Sequence, residues 1–448
     1  MMRAELGATL SRFWRSLASA PASAQPKPEG DVLRTWKRDL DACAREQGGA
    51  IAARTRAAGL VELYRGMNAA TRVEALTAFA IQQKPDAAVI KTAFAAYSQA
   101  AGGVDEWRAE ADLRAALESP RARVIRLIGS VFGGVRFLVA LRAELFDLLK
   151  AHPPLQALES ELEVQLGEWF DVGFLELRRI GWESPAHILE KLMQYEAVHE
   201  IHSWADMKNR LDGDRRVYAF FHPRLRDEPL VFVEVALTGE IAGNVQALLD
   251  ESAPVFDTRR ARAAMFYSIS STQTGLRGIS FGNFLLKRVV EDLKRDFPKL
   301  EHFATLSPVP GFAAWLGKQT LPDALANALA ADWRADEKLS SEMRAPMMSL
   351  AAHYLKHAQH KGRPQDPVAR FHLGNGARLE RLNWQADLSP KGMQQSHGLM
   401  VNYYYAPDEI EANLEAFDAE GRVAANGRVE RLAKVGQRML EQRQRVAA

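Results

Sequence analysis

The sequence predicts an α+β protein, with an all-α bundle first and an α/β domain after it. Three observations carry this. From Asp31 to about Gly167 the apolar residues recur only with helical spacing. Strand-like runs appear only beyond about residue 210. Residues 265–307 then read as strand, glycine loop, helix and strand in succession. The 448 residues, 47% hydrophobic and 25% charged, suit a globular chain of more than one domain. We divide it into a tail and linker (1–30), a helical domain (31–168) and a second domain (169–448).

The first twenty residues carry Arg3, Arg12 and Arg15. Arg12 and Arg15 interrupt any secretory apolar core, and Glu5 weakens a transit peptide, so the expectation is a mobile tail ending in the proline-rich PASAQPKPEGD. Leu33, Trp36, Leu40 and Cys43 then form a helical stripe that stops at Gly48-Gly49. Residues 71–83 and 86–101 are alanine-rich helices bounded by Pro85 and Gly102-Gly103. Pro120 opens a stretch that is apolar on most faces as far as Pro153-Pro154, which predicts a buried central helix, with Gly133-Gly134 as a kink or a close-packing point. No titratable cluster stands out in this half. Its expected work is scaffolding or self-association.

Residues 216–221 and 230–237 read as strands split by the turn HPRLRDEP. In 265–270, Met265, Tyr267 and Ile269 face one way and Phe266, Ser268 and Ser270 the other, the period of a strand. Gly275, Gly278 and Gly282 follow, and then Phe281, Leu285, Val289 and Leu293 recur every four residues. Opposite them stand Lys287, Glu291, Lys294 and Arg295, so this is an amphipathic helix. Phe303 to Leu306 is the next strand, and Pro308 stops it just after Ser307. Residues 320–355 are mostly helical, Asn375-Gly376 marks a turn, SHGLMVNYYYAP is a strand, and two helices finish the chain.

A net charge of +2 gives no field that recruits nucleic acid. No apolar run reaches the ~18 residues a membrane span needs. A single cysteine, Cys43, excludes an internal disulfide framework and fits the reducing cytoplasm.

A glycine loop feeding a helix start brings free backbone N–H groups and partial positive charge to one place, a site suited to a pyrophosphate. Arg277 adds a fixed charge there. Neither the nucleotide P-loop nor the dinucleotide glycine spacing is present. Arg277 to Gly282 does match the Arg/Gln-x-x-x-x-Gly loop of acetyltransferase-like (GNAT-type) folds. The alternative is a glycine-rich turn with no ligand. His199-Glu-Ile-His202 is one residue short of the metalloprotease spacing, and His353, His357 and His360 beside Lys356 and Lys361 suit a solvated basic face, so no metal is expected. His372 lies among turn glycines and polar groups. No nucleophile elbow surrounds Ser307. Tyr403, Tyr404 and Tyr405 suit strand packing.

Three blocks together resemble the malonyl-CoA decarboxylase family: FYSISSTQTGLRGISFGNFLLKRVV, TLSPVPGF with Trp315 just after, and RFHLGNGARLERLNWQADLSPKGMQQSHGLMVNYYY. The resemblance implies a helical N-terminal domain and a GNAT-type catalytic domain. It implies conversion of malonyl-CoA to acetyl-CoA and carbon dioxide without metal or prosthetic group, coenzyme A being part of the substrate. Carried over by position, Arg277, Gly278, Ile279, Ser280, Phe281, Gly282 and Asn283 would hold the coenzyme A phosphates. Ser307 and His372 would be the catalytic pair, and Ser268 and Tyr405 match further positions linked to activity. The family carries glutamate where this chain has Ser280, so no acid role transfers there; Ser280 instead suits a helix N-cap.

In the chemistry so implied, loss of carbon dioxide leaves an enolate that must be protonated at the α-carbon. His372, with an ordinary pKa near 6.5, is the expected donor at neutral pH. Ser307 would orient the departing carboxylate or relay the proton, and Tyr405 or backbone N–H groups would hold the thioester oxygen. A homo-oligomer, dimer or tetramer, is expected, with no nucleic-acid or membrane partner. Two alternatives remain: a GNAT-type acyltransferase, needing an amine acceptor, and a non-catalytic acyl-CoA sensor.

Overall fold

A computed structural model describes residues 28–279, 282–331, 333 and 336–447. Residues 1–27 of the predicted tail and linker (1–30), and Ser280 and Phe281 of the glycine loop, lie outside the described residues; Glu29 and Gly30, expected in the linker, already belong to the first helix. The chain divides into two compact units, Met1–Glu168 and Trp169–Ala448.

The first unit is helical: α1 (Glu29–Ala44), α2 (Gly49–Gly66), α3 (Ala69–Gln82), α4 (Ala87–Ala100), α5 (Glu106–Leu117), α6 (Pro120–Gly129), α7 (Gly134–Leu148) and α8 (Gln156–Trp169), the last ending at the start of the second unit. Trp36, Leu40 and Cys43 are buried along α1, as their spacing requires. The predicted single helix after Pro120 is instead two. Gly133 adopts a left-handed φ of 70°, and a Cβ on Gly134 would stand 1.7 Å from the Ile128 carbonyl oxygen, so this glycine pair breaks the helix. A buried cation also went unread there. Arg142 donates to Glu159 through Nε (3.0 Å) and Nη2 (2.8 Å), and Glu163 lies 3.2 Å away. By contrast α4 and α5 bury no residue and leave Phe94, Trp107 and Leu117 exposed.

The second unit runs β1 (Glu176–Ile180), α9 (Ala186–Tyr195), α10 (Trp204–Arg210), β2 (Arg215–Phe221), β3 (Val231–Thr238), α11 (Val245–Leu249), β4 (Ala263–Ser271), α12 (Gly282–Asp296), β5 (His302–Thr305), β6 (Ser307–Pro308), α13 (Phe312–Leu316), α14 (Asp323–Ala330), α15 (Glu337–His357), β7 (Gln359–His360), β8 (Arg363–Pro364), α16 (Pro367–Leu373), β9 (Arg378–Asn383), α17 (Pro390–Ser396), β10 (Met400–Tyr404), α18 (Ile410–Glu420) and α19 (Gly427–Ala447). Strands therefore begin before residue 210. β1 pairs only with β2 and is mostly exposed, so no alternation betrays it. The large sheet has the order β1-β2-β3-β4-β5-β10-β6, with β9 on β10. Pairing is antiparallel except between β4 and β5, which are parallel with α12 crossing between them. This is the α/β domain predicted to follow the helical one.

α12 exists because its stripe is buried: Leu285, Val289 and Leu293 lose nearly all contact with water, each worth about 1.5–3 kcal/mol. Across the sheet, Ile188, Leu189 and Leu192 of α9 pack with Val217, Phe221 and Phe232. β4 is buried on both faces. One face, with Met265 and Tyr267, packs on Val245, Leu248 and Met400.

The β4/β5 ladder opens toward one end. Its register runs from Ala263↔His302 to Phe266↔Thr305, and the Leu306 N–H still donates to the Phe266 carbonyl at 2.9 Å. Ser307 then pairs with Val401 of β10. The two strands part there, and the gap between them becomes a cavity.

Candidate active site

The cavity encloses about 520 Å³. Its walls include residues 266–269 and Ser271 of β4, residues 276–279 of the glycine loop, Ser307, and His372 with Asn375. It thus brings together three regions that the chain separates.

His372 sits in the last turn of α16 rather than among turn residues alone. That helix starts as its sequence dictates. Asp366 caps it by accepting from the Val368 and Ala369 N–H groups, both at 3.0 Å, and Pro367 occupies the first turn. The imidazole is buried and stacks on the Tyr403 ring at 4.5 Å between centroids. Its Nε2 lies 3.1 Å from Ser307 Oγ, and its Nδ1 lies 2.8 Å from the Tyr405 hydroxyl. Ser307 in turn donates to Thr305 Oγ1 at 2.8 Å. The direction of this chain follows from proton counting. A hydroxyl has one proton, and that of Ser307 is spent on Thr305. His372 must then donate from Nε2 to Ser307 and accept at Nδ1 from the Tyr405 O–H. Burial pushes the imidazole pKa down to about 3. The expected ordinary pKa near 6.5 therefore does not hold, and an imidazolium is not the resting state. The resting side chain is a neutral imidazole with its Nε2–H turned to Ser307, and a neutral imidazole can still act as a donor.

Ser268 and Ser270 share one face of β4 and meet a buried carboxylate. Ser268 Oγ lies 2.8 Å from both carboxylate oxygens of Glu196, and Ser270 Oγ donates to Oε2 at 3.1 Å. Glu196 follows α9 in sequence and is 72 residues from Ser268, so no local pattern announces it.

Of the glycine loop, Arg277, Gly278 and Ile279 line the cavity, and Gly278 takes a left-handed φ of 86°. Gly282 and Asn283 open α12. Ser280, with its N-cap expectation, and Phe281 fall outside the described residues.

His199 and His202 lie in the connection between α9 and α10, where burial pushes the His199 pKa down to about 4 and the His202 N–H donates to Asp206. The basic-face reading of the other three histidines holds only in part. His353 is half-buried, its ring 6.1 Å from that of Trp315. No cluster of potential metal ligands occurs among the described residues. Nor is any helix among them long and apolar enough to cross a membrane.

Comparison with known proteins identifies the family. The family model for the malonyl-CoA decarboxylase C-terminal domain matches residues 173–445, and that for its N-terminal domain matches 83–170. The mitochondrial malonyl-CoA decarboxylase of Mus musculus is 40% identical over 357 residues, 72% of this chain and 73% of that protein. That of Anser anser anser is 37% identical over 350 residues, 69% of each. The crystal structure of malonyl-CoA decarboxylase from Rhodopseudomonas palustris superposes with a TM-score of 0.82 at 42% identity, covering 91% of this chain and 100% of that one. The Cupriavidus metallidurans structure gives 0.70 at 41% identity, covering 90% and 99%. The chain belongs to the malonyl-CoA decarboxylase family.

Proposed function

We propose that the protein converts malonyl-CoA to acetyl-CoA and carbon dioxide in the cavity between β4 and β5. The observation that carries this is the Ser307–His372 contact, made across 65 residues of chain in the wall of a cavity that also holds the glycine loop. In this reading the loop from Arg277 to Asn283 grips the coenzyme A phosphates, and that remote binding fixes the reacting end. The carboxylate leaves as carbon dioxide, and its bonding electrons move into the thioester as an enolate.

The α-carbon then needs one proton. Ser307 turns its hydroxyl from Thr305 to the α-carbon, breaking that hydrogen bond, gives up the proton and is refilled by the His372 Nε2–H, while Nδ1 takes the Tyr405 proton. Solvent restores Tyr405. Nothing in this relay requires an imidazolium, which suits a histidine held neutral by burial.

Purified protein with malonyl-CoA alone, followed by mass spectrometry of the thioester, tests the reading. Acetyl-CoA is the expected product. Intact malonyl-CoA would support a sensor, and free coenzyme A appearing only with an amine would support an acyltransferase.

Self-association as a dimer or tetramer fits the apolar side chains that α4 and α5 leave exposed, and light scattering checks it. The cytoplasm remains the proposed compartment. Cys43 is buried with its thiol pushed up to about 11, a reduced and unreactive cysteine.

A further inference from the structure

Glu196 has no place in the relay, yet it is buried directly behind the cavity wall. Its Oε1 accepts from the Val198 and His199 backbone N–H groups, both at 2.8 Å. Its Oε2 faces the hydroxyls of Ser268 and Ser270. Every partner is a donor or a hydroxyl, which is what an ionised carboxylate, acceptor only, requires. Ser268 has one hydroxyl proton, and both oxygens of Glu196 stand within 2.8 Å to take it. Ser268 also lines the cavity. What it has left to offer a ligand is a lone pair.

We infer that Glu196 is a positioning residue that fixes Ser268 as a hydrogen-bond acceptor in the cavity wall, so that Ser268 receives an amide N–H from the arm of the bound thioester and supplies no proton to it. The inference rests on the reading above, in which the phosphates lie at the glycine loop and the acyl end at Ser307. The arm joining them must then run along β4. Beyond Phe266 that strand has lost its β5 neighbour, and there Ser268 stands. The coenzyme A arm carries amide N–H groups, the donors such an acceptor fits. A carboxylate or an enolate oxygen, themselves acceptors, would gain nothing from Ser268.

The test is Glu196→Gln. Glutamine keeps an oxygen for the two loop N–H groups and puts an N–H where Oε2 stood, 2.8 Å from the Ser268 hydroxyl and 3.1 Å from that of Ser270. That N–H takes the Ser268 lone pair that the carboxylate leaves for the ligand. KM for malonyl-CoA, and the dissociation constant of coenzyme A measured by calorimetry, should each rise about tenfold, while kcat falls less than threefold. Ser268→Ala leaves Glu196 and its loop contacts in place and should show the same split. The double variant should be no weaker in binding than Ser268→Ala alone, because Glu196 acts through that hydroxyl.

A fall in kcat with KM unmoved in Ser268→Ala would overturn the inference, since Ser268 would then be supplying a proton. Additive losses in the double variant would overturn it as well. If the wild-type protein binds coenzyme A but does not decarboxylate malonyl-CoA, the functional reading fails instead, and the calorimetric comparison still judges the Ser268 contact.

Discussion

Each unit of the chain buries ion pairs, such as Arg210 with Glu234 and Asp206 in the second, but two of the buried polar groupings, one from each unit, differ in kind. In the helical unit Arg142 is matched by Glu159 and Glu163, full charge against full charge. In the second unit Tyr405, His372, Ser307 and Thr305 are all uncharged at rest and form a directed chain of hydrogen bonds that ends at a cavity. A matched ion pair has nothing to give away, because removing either partner strands a charge in a medium that cannot solvate it. A neutral hydroxyl–imidazole chain can shift protons along its length without creating such a charge at both ends. The first arrangement holds helices in place. The second is suited to chemistry.

Four experiments would break or sharpen that contrast. The largest effect is expected from Arg142→Ala, which leaves Glu159 buried without its cation. Denaturant unfolding should show a loss of about 3–5 kcal/mol, with KM for malonyl-CoA moving less than threefold. A large change in KM would erase the distinction between the two groupings. His372→Asn should lower turnover by about a hundredfold or more, with the fold retained by circular dichroism. Turnover near the wild-type level would remove His372 from the relay.

The pH dependence of stability comes next. The folded pKa of His372 is about 3 and the unfolded value about 6.5, so the unfolded state binds the proton first. The stability that the neutral ring contributes is complete above pH 6.5 and is lost as pH falls from there toward 3. At pH 5 the wild type should have lost about 2 kcal/mol that His372→Asn does not lose, as read from unfolding at pH 7.5 and pH 5. Parallel curves for the two proteins would mean that the ring is not held neutral. The smallest effect belongs to Tyr405→Phe, which removes one donor at the far end of the chain. Turnover should drop about tenfold while KM is kept. An unchanged rate would show that the chain ends at His372.

The strand–loop–helix–strand unit could be read directly, because its periods of two and four persist over whole elements: β4, α12 and β5 lie where Met265, Leu285 and Phe303 indicated. β1 escaped because an edge strand with one neighbour and exposed side chains has no apolar pattern to betray it. The break at Gly133-Gly134 was visible as two glycines, but whether such a pair kinks or ends a helix depends on what packs beside it. Ser307 and His372 were singled out by resemblance. Their residue types alone favoured ordinary structural roles.

By itself the sequence determined the α+β class, the amphipathic faces, the glycine loop and the family, since these follow from local spacing and from contiguous blocks of sequence. Only the tertiary structure decided that β4 and β5 part after Phe266, that Glu196 meets Ser268, and that His372 lies between Ser307 and Tyr405. Those are contacts between residues 33 to 72 positions apart, and they also set the protonation of the ring. The reason is physical: a side chain's charge and hydrogen-bond direction depend on how deeply it is buried and on what faces it. Both are properties of the packed interior, which no short stretch of chain contains.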